Sequence, residues 1–291
     1  MSDNSVAHRP RIAIAGATGR VGKALVSRLI DDPVDLVALS REPETASLPV
    51  EVLTSRIDFA NPSSLAAALR GADRLFLAHG TSTDQVAHEI ALIDAACSAG
   101  VQHIVKLSVM GPASALHPFD WHMAIEAHLA GCGIGYTLLR PSSFMEILAR
   151  AGAPVARDSW GGAAGEGRVN LIDSRDVADV ARVALLDAAH LHVQRAWHLT
   201  GSAAVSMAEV ADELSRLLGR PVTYRHRSPD EHRAVLIRSG LSDLVADVLL
   251  GIDHLFRDSV LAETTATVAD LTGAAPRSVG AWLRENIAQF R

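Results

Sequence analysis

Cysteine is scarce. Cys97 and Cys132 are the two in 291 residues, and they stand in no metal-ligand or redox spacing. That excludes a disulfide scaffold and makes a reducing cytoplasm the expected setting. Long apolar runs are missing as well: no stretch approaches the roughly 20 residues of a membrane helix. Residues 1–11 are polar and lack the apolar segment of a signal peptide, so they are expected to form a loose tail. There is no run of Lys and Arg, and a chain with net charge −6 lacks the basic stripe of a nucleic-acid binder. Neither nucleic acid nor membrane is therefore an expected partner. Thirteen histidines raise the question of a metal, but their spacings do not answer it. His190 and His192 have no convergent carboxylate pattern nearby, and His88-Glu89 is not followed by a second His four residues after the first. Surface and core histidines are the expectation, with no metal.

What is present is an ordinary globular composition, 48% hydrophobic and 21% charged, long enough for one or two closely packed domains. The first half alternates short apolar runs with helical patterns. Strands are expected at 11–15, 35–39, 50–54, 74–78, 103–108 and 136–139. Helices are expected at about 20–30, after the Asn61-Pro62 start signal, from about Asp84 to Gly100, and over 119–130. On the third of these, Val86, Ile90 and Ile93 are expected to face inward. Such alternation implies right-handed crossovers and an α/β fold, a Rossmann-type parallel sheet with helices on both faces. Ligands then bind beyond the carboxyl ends of the strands.

After about Ala149 the pattern changes. Gly161-Gly162 and Gly165-x-Gly167 are expected to mark a flexible loop, followed by a strand at 169–172, a helix at 173–186 and a seventh strand at 197–200. Two capping boxes, Ser206-x-x-Glu209 and Ser228-x-x-Glu231, start further helices. The expected division is a dinucleotide-binding domain over 1–150, with strand returns around 168–200. Residues 151–291 would be a smaller, mostly helical substrate lobe.

The segment Gly16-Ala17-Thr18-Gly19-Arg20-Val21-Gly22 places glycines at spacing three and three, after a strand and opening a helix. The chemistry needs a tight turn, close backbone approach to a pyrophosphate, and helix N–H groups aimed at negative charge. An NAD site would carry Asp or Glu near the end of strand two, to bond the ribose hydroxyls. Ser40-Arg41 stands there, and a guanidinium pairs with the 2′-phosphate that a carboxylate would repel. NADP(H) is the expected cofactor, with Arg20 a second contributor. Asp58 and Phe59 lie where an adenine would be met, although Asp58 serves equally to cap a turn before Asn61. Ala78, His79 and Gly80 should pass the ribose next to the nicotinamide; His79 either contacts the cofactor or faces solvent. Lys106 and Ser108 end strand five and are read as facing opposite sides of the sheet, Ser108 being the one that sees a ligand.

These residues together resemble the NmrA-like branch of the atypical short-chain dehydrogenase/reductases. The resemblance spans about residues 11–290. It rests on IAIAGATGRVG, ALSREPE, DFANPSSLAAALRGAD, HIVKLSVMG, WHMAIEAHL, YTLLRPSSFME, RVNLIDSRDVADVA and WHLTGSAAVSMAEVADELSRLLGRPV. It implies a Rossmann domain with a small C-terminal substrate lobe. Some members are NADPH-dependent reductases, among them type 2 quinone oxidoreductases and triphenylmethane reductases; others bind NADP without known turnover and act as redox sensors.

The usual Tyr-x-x-x-Lys dyad of short-chain dehydrogenases is absent. Tyr136 is followed four residues later by Arg140, and Tyr224 by Ser228. Carbinol oxidation by a tyrosinate proton shuttle is therefore not expected. In the corresponding helix, Trp121-His122-Met123-Ala124-Ile125-Glu126 puts His122 where the family's pattern has the lysine and Pro118 where it has the tyrosine. His122 and Glu126 are one turn apart, which allows a charge pair. His122 either contacts the nicotinamide ribose or protonates a reduced substrate, or is a helix-surface histidine. The backbone of Pro141 to Ser143 would meet the nicotinamide carboxamide. Phe144, Met145 and Trp160 would wall an apolar substrate or belong to the core.

The leading expectation is hydride transfer from NADPH to a small, largely apolar conjugated acceptor such as a quinone. It needs positioning more than a strong protein acid. The alternative is a non-enzymatic NADP(H)-binding redox sensor, and a weaker third is a lyase or isomerase on the same fold. A small-molecule substrate is the expected partner, and a homodimer is allowed.

Overall fold

A computed structural model describes residues 9–112 and 116–291; the expected tail lies outside them as far as residue 8. In chain order the strands are β1 (Arg11–Ala15), β2 (Asp35–Ser40), β3 (Leu53–Arg56), β4 (Arg74–Leu77), β5 (His103–Leu107) and β6 (Gly135–Pro141). They continue with β7 (Ser143–Phe144), β8 (Gly161–Gly162), β9 (Arg168–Ile172), β10 (Gln194–Leu199), β11 (Ala204–Ser206) and β12 (Arg225–His226). The helices are α1 (Arg20–Leu29), α2 (Pro62–Ala68), α3 (Gln85–Ala99), α4 (Phe119–Gly131), α5 (Gly152–Ala156) and α6 (Ser174–Leu186). After them come α7 (Met207–Leu218), α8 (Pro229–Arg238), α9 (Asp243–Arg257), α10 (Thr267–Thr272) and α11 (Val279–Glu285). The described residues form two compact units. One holds the chain through Ser108, Ala124–Leu139 and Ala178–Trp197; the other holds Val109–Met123, Arg140–Val177 and His198–Arg291.

The first unit is built on a seven-stranded sheet in the order β10-β6-β5-β4-β1-β2-β3. The pairs β1–β2, β1–β4, β2–β3, β4–β5 and β5–β6 are parallel. The chain winds from β1 outward to β3 and then crosses back to β4, so a switch point lies between β1 and β4. Strand side chains alternate between faces. Ala13, Ala15, Leu75, Leu77 and Ile104 pack with Leu65 and Leu69, Leu92 and Ile93 of α3, and Ile125 and Leu129 of α4. Ile12 and Ile14 are equally buried on the other face, as are Leu25 and Leu29 of α1. Arg182 of α6 forks onto Asp32 just after α1, with Nε 2.7 Å from Oδ2.

Local signals held where they were strongest. The Asn61 side chain accepts from the Ser63 N–H, with Pro62 in the first turn of α2. Gly100 closes α3 in the left-handed region at φ 80°. Three expectations shift. Strand three begins at Leu53, not at residue 50, because a turn closed by the Val52 N–H on the Pro49 carbonyl consumes the first residues. Val50 is left 94% exposed. Lys106 and Ser108 share one face, as residues two apart in a strand must. And α3 buries Gln85 and Glu89 together with Leu92, Ile93 and Ala96: Ile93 faces inward as expected, Val86 packs half-buried against the core, and Ile90 is half-buried.

Gln85 and Glu89 are buried beside a charge inside the core. Lys106 Nζ lies 2.6 Å from Glu89 Oε2, both side chains being fully buried. Gln85 Nε2 donates to Glu89 Oε1 at 2.9 Å, and Lys106 also donates to the Leu107 carbonyl at 3.0 Å. A helix face defined by a paired carboxylate is invisible to hydrophobic periodicity.

His103, at the start of β5, is fully buried and its Nε2 lies 3.0 Å from Thr137 Oγ1. Burial, then the positive charge of Arg74, His190, Arg195 and His192, pushes its pKa from 6.5 down to about 4. The folded state therefore favours the neutral ring, and the unfolded chain binds the extra proton between these values. That stabilisation is complete above about pH 6.5 and is lost as pH falls toward 4, by roughly 3 kcal/mol. Urea unfolding of wild type and His103→Gln at pH 7 and pH 4 reads this directly. The pH-dependent loss should be smaller in the variant by about that amount.

The second unit has its own core, with Met145, Val169, Leu171, Leu214, Leu283 and Phe290 among its buried members. It carries a three-stranded sheet ordered β11-β9-β7 and the pair β12–β8. Both expected capping boxes are formed, Ser206 with Glu209 and Ser228 with Glu231. The glycine-rich segment is packed, contrary to the flexible loop expected from its composition. A Cβ on Gly162 would stand 2.5 Å from the Tyr224 hydroxyl, and one on Gly167 would stand 2.0 Å from the Phe256 carbonyl oxygen. These glycines serve close approach of backbone to neighbour, not chain freedom.

Candidate cofactor and active site

The phosphate loop is formed by a requirement for empty space. Gly16 has φ 79°, and a Cβ there would lie 2.7 Å from the Ala78 carbonyl oxygen at the end of β4. A Cβ on Gly22 would lie 2.1 Å from the Gly16 carbonyl oxygen. The Gly19 N–H donates to that same carbonyl at 2.9 Å, closing the turn between β1 and α1. Helix α1 then starts at Gly19 with no side-chain cap and no acidic residue in its first turn. Its first N–H groups thus have no partner in a cap and carry the positive end of the helix dipole.

This turn forms one wall of a cavity of about 530 Å3 at the carboxyl ends of β1, β2 and β4, at the switch point where parallel sheets of this kind take ligands. Gly16, Thr18, Gly19, Arg41, Phe59, Ala78, His79 and Gly80 line it, all of them expected from the sequence. Val21 and Gly22 are buried under the turn, and exposed Arg20 lies outside the lining. Asp58 also lies outside it. Its carboxylate accepts from the Ala60 N–H at 2.9 Å, the turn-capping alternative. Arg41 brings a guanidinium into the lining just past β2. The neighbouring Glu42, also in the lining, is tied back by its own loop: its N–H donates to Ser40 Oγ at 3.1 Å, and Thr45 Oγ1 donates to its carbonyl at 3.2 Å.

His79 is held by its neighbours. Its Nδ1 lies 2.6 Å from the Gly80 carbonyl and its Nε2 lies 3.0 Å from His88 Nδ1. The carbonyl requires Nδ1 to carry hydrogen, so in the neutral ring Nε2 accepts from His88. The His88 ring stacks on Phe59 at 3.8 Å between centroids. Burial, then His79, depresses the His88 pKa, which favours the neutral His88 ring. His88 was missed as part of the site, as were Thr45, Ala46, Thr81 and Ser82 in the lining. No spacing in the sequence carries that information, since the loops and the first turn of α3 bring them there only in the folded chain.

At the end of β5 the Ser108 N–H donates to the Leu139 carbonyl at 2.7 Å, and the Ser108 hydroxyl donates to a carboxylate oxygen of Glu126 on α4. His122, one turn earlier on α4, is half-buried, with its N–H bonded to the Pro118 carbonyl at 3.1 Å. In the second unit, Pro141 is buried and its carbonyl accepts from the Met110 N–H at 2.8 Å. Ser143 and Phe144 are half-buried and register with Leu171 and Ile172. Met145 is fully buried and Trp160 is 8% exposed, both within the core of that unit. Trp160 packs edge-on against Tyr224 at 5.1 Å.

The strand order, the switch-point cavity and the glycine cradle define a dinucleotide-binding protein. A family model described as NAD(P)H-binding matches residues 16–191. The chain is 32% identical over 284 residues to the NAD(P)H azoreductase of Xenophilus azovorans, covering 96% of this chain and 99% of the relative. It is likewise 32% identical over 269 residues to quinone oxidoreductase 2 of Escherichia coli K12, covering 90% and 93%. The solved structure of an NADPH-dependent quinone oxidoreductase from Escherichia coli, complexed with NADPH, superposes with a TM-score of 0.88 at 28% identity, covering 95% of this chain and 99% of that one. The chain belongs to the NAD(P)H-binding family, in its NmrA-like branch, and is an NAD(P)H-dependent oxidoreductase. Among the described residues no helix is long and apolar enough to cross a membrane.

Proposed function

We propose that the protein reduces a small, conjugated, largely apolar acceptor of the quinone or azo type, with NADPH as the donor. The observation that carries the cofactor half is Arg41 in the lining of the same cavity as Gly16, Thr18 and Gly19 of the cradle. The cradle fits a pyrophosphate, because its glycines leave no room for a Cβ and its helix N–H groups face an anion site. Arg41 would pair with a 2′-phosphate, Phe59 would pack on the adenine side, and Ala78 to Gly80 would follow the ribose chain. When bound, the nicotinamide supplies the hydride, so the protein's own task is positioning, exclusion of water and proton delivery.

Proton delivery falls to His122, with Ser108 as a contact held in place by Glu126. The Ser108 hydroxyl hydrogen is engaged by that carboxylate, leaving its oxygen lone pairs to accept a hydrogen bond. The Pro141–Ser143 backbone would meet the carboxamide, and Phe144, half-buried where Met145 and Trp160 are buried, would be the apolar residue to touch a substrate. Met145 and Trp160, as core members, would shape that wall from behind. A cytoplasmic setting belongs to this reading, supported by two cysteines that remain thiols, and a homodimer is compatible with it. The sensor alternative is not adopted, since relatives matched along nearly their whole length carry oxidoreductase names.

Steady-state NADPH oxidation over a panel of quinones and azo compounds tests the acceptor class: saturation with one class supports it, and no turnover on any sinks it. His122→Ala should lower kcat about 10²–10⁴-fold, the usual range for loss of a positioned acid or base, with NADPH affinity unchanged. An unchanged kcat would remove His122 from the chemistry.

A further inference from the structure

A second cluster of chemically competent side chains lies at the amino end of the sheet, away from the cofactor cavity. Helices α3 and α4 run side by side over the same sheet face, their leucines and isoleucines sharing one core. On α3, Asp94 and Cys97 are one turn apart; on α4, His128 and Cys132 close the facing turn. The ligand atoms of Asp94, His128 and Cys132 all fall within 4.8 Å of one another. His128 Nε2 lies 2.7 Å from Asp94 Oδ1, the Cys132 thiol donates to the His128 carbonyl at 3.3 Å, and Cys97 lies beside Cys132. Both cysteines also line a surface groove of about 370 Å3 with Gly100, Val101, Gly133 and His192.

We propose that Asp94, Cys97, His128 and Cys132 form a binding site for a thiophilic divalent cation of the zinc type. Two sulfurs, one imidazole nitrogen and one carboxylate oxygen make a donor set that zinc accepts in tetrahedral geometry. Metal bonds of about 2.0 to 2.3 Å separate such donors by about 3.3 to 3.8 Å, so rotamer changes within the cluster suffice to close around an ion. Binding exchanges the two thiol protons and the His128–Asp94 hydrogen bond for four bonds to the metal. The thiol protons leave to solvent through the groove, and no oxidant or reductant takes part. Cysteine binds a metal as thiolate, so metal binding releases protons and grows stronger as pH rises. Linear spacing hides the site because each helix carries only half of it, as Asp-x-x-Cys and His-x-x-x-Cys.

The test uses the full-length, fully reduced protein with cobalt(II) as a spectroscopic probe and zinc as competitor. One cobalt per chain is expected, with intense tetrahedral ligand-field bands and thiolate-to-cobalt charge transfer, all discharged by zinc. Cys132→Ser should weaken zinc binding by more than ~100-fold, beyond the 10–100-fold that loss of a merely supporting partner costs. Cys97→Ser should roughly halve the charge-transfer intensity, and Asp94→Asn should weaken binding while leaving the thiolate bands. Zinc should raise the melting temperature of wild type but not of Cys132→Ser, whose unchanged melting temperature without metal and unchanged NADPH binding would show that it folds. Cobalt bound without thiolate bands, or zinc affinity unchanged in the Cys97→Ser/Cys132→Ser double variant, overturns the proposal.

Discussion

Glu89→Gln should destabilise the protein by about 3–5 kcal/mol, the cost of leaving a buried charge without its counter-ion. Lys106 sits on β5 with no exposed surface, 2.6 Å from the Glu89 carboxylate. The substitution keeps shape and removes only the charge, leaving an ammonium in a core otherwise filled by Leu77, Leu92, Ile93 and Ile104. Replacing both members, as Glu89→Met with Lys106→Met, should recover most of the loss, because apolar residues of similar volume replace buried ion pairs at little net cost. Chemical denaturation of the three variants checks this. A single-variant loss below about 1 kcal/mol would mean that the pair is hydrated. The fold tolerates such a pair because Gln85 satisfies the second carboxylate oxygen and the Leu107 carbonyl takes another ammonium hydrogen.

Arg41→Ala should reduce the NADPH-to-NADH affinity ratio about 10- to 100-fold. A charge-assisted hydrogen bond is worth about 1.5–3 kcal/mol, and each 1.4 kcal/mol is a factor of ten. The loss should fall on NADPH and leave NADH affinity nearly unchanged, since the rest of the cradle is backbone. Fluorescence titration of both cofactors against wild type and variant gives the ratio. An unchanged ratio would move the 2′-phosphate contact elsewhere, to Arg20 or to backbone alone. Arg41→Lys should retain part of the preference, because an ammonium supplies charge without the planar fork.

The parts legible in the sequence are those fixed by neighbours in the chain. Gly16 to Gly22 could be read because Gly16 is left-handed and neither Gly16 nor Gly22 has room for a Cβ. The Asn61 cap, the Gly100 stop and the Ser206 and Ser228 capping boxes are equally local. The unreadable parts depend on long-range partners. Glu89 faces inward only because Lys106, seventeen positions on in the numbering, meets it from β5. Gly162 and Gly167 looked like a flexible loop because composition does not show that Tyr224 and Phe256 press against them. Strand three starts later than hydrophobicity predicts because a Pro49–Val52 turn takes up Val50 and its neighbours. At the site, Arg41 was legible from its place after β2. The His79–His88–Phe59 stack was not, since it joins three separate loops and helices.

The central claim is that NADPH held in this cradle gives its hydride to a conjugated acceptor, and a single-turnover experiment tests it most directly. Protein in excess over NADPH is mixed anaerobically with a quinone, and bound NADPH and hydroquinone are followed together. The account predicts that bound NADPH is stable alone, disappears when the quinone is added, and yields one hydroquinone per NADPH consumed. Bound NADPH that survives the quinones and azo compounds alike would contradict it.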